Sequence, residues 1–193
     1  QSQLWADAFE RELAGILVVQ REVAREVAAA LALELLPDEK KRLDSAEQVD
    51  PEAYEAYLKG TYNWQKLTPE GLETAEHYFR QALDEDPSFA HGYQGLAWVW
   101  AARQQMGLAW PREAGPKAKA AAERAIALDE KSGEAHLALA TVRTWTDWDW
   151  EGGGSEWRRA LDLDPNSATI HAYYAHYLAN MGQLDEALVH SQR

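Results

Sequence analysis

The chain has 193 residues, is 46% hydrophobic, carries a net charge of −13 and contains no cysteine. That hydrophobic share excludes wholesale disorder, and the lack of cysteine excludes disulfides and thiolate metal sites. Acidic residues outnumber basic ones 32 to 19, which argues against the basic stripe that direct nucleic-acid binding needs. Ala, Leu, Glu and Arg dominate long stretches, a helix-forming composition. No run of eighteen apolar residues occurs, so no membrane span is expected.

In chain order, the first element is a helix predicted over residues 16–36, with Ile16, Val23, Val27, Leu31 and Leu35 on one apolar stripe. The polar run that follows, with Lys40, Lys41 and Arg42 between two prolines, predicts a linker over 37–52. The stretch Leu4 to Leu13 and the segment Val19 to Ala24 resemble the end of the α/β domain found at the amino terminus of TolB, so residues 1–36 are assigned to the carboxyl-terminal remnant of such a domain. Because the chain opens on Gln1, the amino terminus of the protein is expected to lie upstream.

From residue 53 onward the chain repeats. Ala82-Leu83-Asp84-Glu85-Asp86-Pro87, Ala125-Ile126-Ala127-Leu128-Asp129-Glu130 and Ala160-Leu161-Asp162-Leu163-Asp164-Pro165 stand 43 and then 35 residues apart. Leu96-Ala97, Leu139-Ala140 and Tyr174-Ala175 recur at the same two spacings. Two landmarks in one register, with a period near 34, predict stacked helix pairs. The expected units are 53–87, 88–130, 131–165 and an incomplete 166–193, about 3.5 repeats.

Small residues should sit where helices press together: Ala97, Ala140 and Ala175 on the first helix of a pair, and Ala75, Ala118, Gly153 and Ala187 on the second. Phe79 and Trp157 should fill the gap towards the next unit, while Ala82, Ala125 and Ala160 allow close approach at the end of the second helix. Pro87 and Pro165 should end their helices. Glu130 replaces proline in the second unit, so a softer boundary is expected there. Extra residues at Gln105 to Pro116, with two prolines and two glycines, predict a long loop within the second pair.

The positions Ala75, Phe79, Ala82 and Pro87, with Tyr93, Leu96, Ala97 and Trp100 in the following helix, resemble the tetratricopeptide repeat. The resemblance implies an all-α fold: a right-handed superhelical array of antiparallel helix pairs, here with an additional amino-terminal helix. It also implies a concave groove lined by the first helix of each pair. Carried over by position, the partner-binding residues are His91, Gln94 and Trp98; Glu134, Leu137, Thr141 and Trp145; and Thr169, His176 and Asn180. The set lacks the Lys/Arg clamp with which some family members grip a terminal carboxylate.

No catalytic apparatus is visible. Gly152-Gly153-Gly154 lacks the Lys-Ser/Thr of a phosphate loop and is expected to start a helix. His171 and His176 are five apart, on different faces of a helix, which makes a poor metal pair. No nucleophile-elbow or zinc-protease motif occurs. The expectation is therefore no enzyme activity, no cofactor and no metal.

TolB-like domains followed by tetratricopeptide repeats are similar to parts of bacterial regulators with an upstream winged-helix domain or nucleotide cyclase domain; the Asp147-Trp148-Asp149-Trp150 stretch shares that likeness. The function so implied is a protein-interaction scaffold or sensory module of a signalling or transcriptional regulator, binding a protein or peptide. The alternatives are the accessory region of an adenylate or guanylate cyclase, or a homo-oligomerisation module using the 16–36 helix or the open end near Arg193. The expected location is cytoplasmic, or periplasmic if an upstream part carries a transmembrane helix.

Overall fold

The computed structural model describes residues 50–193 together with Val23, Glu26 and Val27. Those three positions are helical; the rest of the expected 16–36 helix, the TolB-like remnant and the linker as far as residue 49 lie outside the described residues. From residue 50 the chain is helix and short connections, with no strand among the described residues. The helices are α1 (Pro51–Trp64), α2 (Pro69–Glu85), α3 (Ala90–Gln105), α4 (Pro111–Leu128), α5 (Gly133–Trp145), α6 (Trp150–Leu163), α7 (Ala168–Asn180) and α8 (Leu184–Ser191).

Local chemistry sets the helix starts. Side-chain oxygens of Asp50, Thr68, Ser132, Asp149 and Ser167 accept backbone N–H groups at five of them, filling donors that have no partner within the helix. Pro51, Pro69 and Pro111 occupy first-turn positions, where a missing N–H costs nothing. Asp149 caps the helix that carries Gly152 to Gly154, as expected for that glycine run.

Contacts are densest within α1–α2, α3–α4, α5–α6 and α7–α8, and consecutive pairs stack through α2–α3, α4–α5 and α6–α7. The first helices of successive pairs also touch one another, α1 with α3, α3 with α5 and α5 with α7, so they share one face of the array.

Every small residue expected at a close approach is buried: Ala75, Ala82, Ala97, Ala118, Ala125, Ala140, Ala160, Ala175 and Ala187, and Gly153. Phe79 and Trp157 are the largest plugs, at 2% and 0% exposure. Phe79 fits between α1 and α3 because Gly60 and Gly95 face it; a Cβ on either would lie 2.6 or 2.5 Å from the ring. Trp157 donates its indole N–H to the Thr144 hydroxyl at 3.0 Å, so its one polar atom is satisfied inside the core.

One local expectation is corrected. The predicted loop at 105–116 is only residues 106–110, because the extra residues lengthen α3 and α4 to 16 and 18 residues. Pro111 opens α4, and Pro116 sits within it on the exposed side. Gly115 lets α4 pass Thr146, whose methyl carbon would be 2.5 Å from an added Cβ. The boundary at Glu130 has the same local shape as the one at Pro87, although it lacks the proline. Asp86 and Asp129 both cap in an extended conformation. The carboxylates of Asp86 and Asp129 accept the N–H two residues on, so aspartate, rather than the following proline, makes the turn.

Candidate functional site

The shared face of α1, α3, α5 and α7 encloses a cavity of about 180 Å³. Helix α1 contributes Tyr57, Thr61 and Trp64; α3 contributes Gln94 and Trp98; α5 contributes Glu134 and Leu137; α7 contributes Thr169 and Tyr173. The Phe79 ring and Gly95 form part of its wall. Helical spacing explains the set: residues three and four apart fall on one face, as Tyr57, Thr61 and Trp64 do.

The rings form a path along this face. Trp64 lies 5.9 Å from Trp98, and Trp98 lies 5.5 Å from Tyr173. Tyr173 stands 6.4 Å from Trp145, which stacks on His176 at 5.1 Å. Gln94, buried in α3, donates from Nε2 to Glu134 Oε2 at 2.6 Å, tying α3 to α5 across the groove. Burial, aided by the Glu134 charge, pushes the Tyr57 hydroxyl up to about 12. Burial lowers the His91 imidazole, against the opposite pull of the Glu134 and Asp129 carboxylates.

Five of the ten residues predicted from sequence line the cavity: Gln94, Trp98, Glu134, Leu137 and Thr169. His91 lies beside it, packed on Tyr57 at 5.4 Å and Phe89 at 5.2 Å. Trp145 leans on Trp157 at 5.3 Å. His176 and Asn180 are exposed, with the Asn180 amide donating to the His176 carbonyl. Thr141 is not a groove surface: it is 1% exposed, and its hydroxyl donates to the Leu137 carbonyl. The physical reason is crowding, since α5 is packed by α3, α4, α6 and α7.

Tyr57, Trp64 and Tyr173 were missed by sequence reasoning. Tyr173 stands four residues after Thr169, a spacing that could have found it. Tyr57, Thr61 and Trp64 stand 37 residues before Gln94, Trp98 and Ala101, an interval that differs from the other two and hid the first unit's register.

The arrangement can bind but offers no paired nucleophile and base. Among the described residues no group of three His, Asp or Glu is placed to hold a metal ion. No helix among them is long and apolar enough to cross a membrane.

Residues 156–189, the second helix of the third pair through most of the fourth pair, match the family model described as tetratricopeptide repeat. A thermophilic tetratricopeptide-repeat protein of Thermus thermophilus superposes with a TM-score of 0.64 at 18% identity, covering 92% of this chain and 86% of that one. Residues 156–189 form a tetratricopeptide repeat, and the array as a whole has the tetratricopeptide-repeat fold. Two curated proteins are similar in sequence. The transcriptional regulator HilA of Salmonella typhimurium is 32% identical over 132 residues, which is 68% of this chain and 24% of that protein. A candidate adenylate cyclase of Rhizobium meliloti, adenylate cyclase 3, is 29% identical over 144 residues, 74% of this chain and again 24% of that protein. The chain thus spans about a quarter of the length of these curated relatives.

Proposed function

We propose that this tetratricopeptide-repeat array is the non-catalytic interaction and sensory module of a larger bacterial regulator, holding a segment of a partner protein in its concave groove. The observation that carries this reading is the run of half-buried rings, Trp64, Trp98 and Tyr173, contributed by different helices to one cavity. Half-buried tryptophan and tyrosine offer large contact area at small entropic cost, which is why they anchor interfaces. The similar regulator and the similar cyclase are each matched over only about a quarter of their length. A part shared between such different proteins fits a receiving module better than an output domain. The division into an α/β remnant over 1–36, a linker over 37–52 and repeat units beyond it belongs to the same proposal, as does a cytoplasmic location.

A photo-crosslinking residue placed at Thr169 of the intact protein tests the reading. The expected result is a covalent adduct with one partner segment, reduced by Trp98→Ala. A protein that yields no adduct in its native cells would sink it. A second reading, self-association, is favoured by α8, whose Leu184, Leu188 and Val189 are 66%, 59% and 52% exposed. Light scattering at two concentrations decides it: a monomer at both removes it.

A further inference from the structure

The cavity lining is chemically one-sided. It contains no Lys, Arg or His, and Glu134 is its single carboxylate. Gln94, itself 5% exposed, holds that carboxylate through Oε2, leaving Oε1 free to accept from a ligand. Around it stand the rings of Tyr57, Trp64, Trp98 and Tyr173. Aromatic faces carry the negative side of a quadrupole, so rings beside a carboxylate attract a cation and repel an anion.

Size narrows the occupant. A cavity of about 180 Å³ falls below the roughly 300–1,000 Å³ of sites for drug-sized ligands, which suits one side chain rather than a whole cofactor. We infer, building on the groove reading above, that the site receives an Arg or Lys side chain of the partner segment. Its charge lies against the rings and Glu134. The net charge of −13 would also draw a basic segment towards the array.

The test is selection of a displayed random nonapeptide library on the full chain, with Trp98→Ala reporting which binders use the groove. The expected winners carry Arg or Lys. Glu134→Gln, which keeps the shape and removes the charge, should weaken a winning peptide about three- to tenfold, and Trp64→Phe should weaken it as well. Winners that are neutral or acidic yet lost in Trp98→Ala would overturn the cation assignment while leaving the groove as the binding surface. No Trp98-dependent winner would remove both. Choline and agmatine titrated in parallel separate the sources: either one binding as tightly as the peptide would overturn the side-chain assignment.

Discussion

Two seams of the array meet the same demand by opposite means. Between the second and third pairs the buried contact is made by Ala97, Ala121, Ala122, Ala138 and Leu139. Between the third and fourth it is made by Trp157, Ile170, Tyr174, Tyr177 and Leu178. The alanine seam brings helices close and spreads its energy over many small contacts. The aromatic seam concentrates its contact in a few large side chains, with Trp157 fully buried among them. The repeat therefore prescribes where helices approach, while the filling between them is free to vary from unit to unit.

The comparison breaks first at Trp157. Trp157→Ala should cost about 3–5 kcal/mol, measured by urea unfolding, and a loss below about 1 kcal/mol would show that the seam does not depend on that ring. The opposite manipulation belongs to the other seam: Ala122→Leu should cost about 1–3 kcal/mol by overpacking, whereas a neutral result would mean slack where the structure has none. Thr144→Val sharpens the aromatic side alone, because it strands the buried Trp157 N–H. A loss of at least about 1 kcal/mol is expected in urea unfolding. Ser132→Ala, at the amino end of α5, should cost about 1 kcal/mol through the lost cap.

The smallest effect is one of pH, at the far end of the aromatic seam. His171 Nε2 lies 3.0 Å from the Pro165 carbonyl and donates to it, so in the neutral ring Nδ1 accepts from His190 Nδ1–H at 2.7 Å. Burial, then the neighbouring His171, and Arg193 hold the His190 imidazole below its ordinary value of 6.5, against the pull of Glu186. The folded state thus takes up this proton less readily than the unfolded chain. Docking of α8 should be full above about pH 6.5 and weaken as pH falls through the lowered value. Amide exchange of α8 at pH 7.5 and 5.5 checks the sign; better protection at the lower pH would reverse the argument.

Much of this was legible in the chain. Small residues at fixed intervals mark helix contacts whatever lies between them, so Ala82, Ala125 and Ala160 located the pairs, and Phe79 and Trp157 announced themselves as plugs. Half of the predicted groove set followed from the same register. The failures have physical causes. Pro111 and Pro116 read as loop because proline is ordinarily a breaker, yet one opens a helix and the other is tolerated one turn inside it. Thr141 sits at a groove position by count, but crowding around α5 buries it. The first unit has Gly60 facing Phe79 and an interval to the next that matches neither of the other two, so Tyr57 and Trp64 carried no readable register.

One contact changes how the array answers to force. In a stacked solenoid each unit touches its neighbours alone, and its mechanics are those of a chain of hinges. The meeting of Trp98 on α3 with Tyr173 on α7 skips a unit and closes a loop of contacts around α5. Rotation at one hinge must then be matched at the next, so the span from α3 to α7 flexes as a braced arch. Fraying from the carboxyl-terminal side would be felt two units away, and an object wedged between those two rings would change the curvature of the whole span.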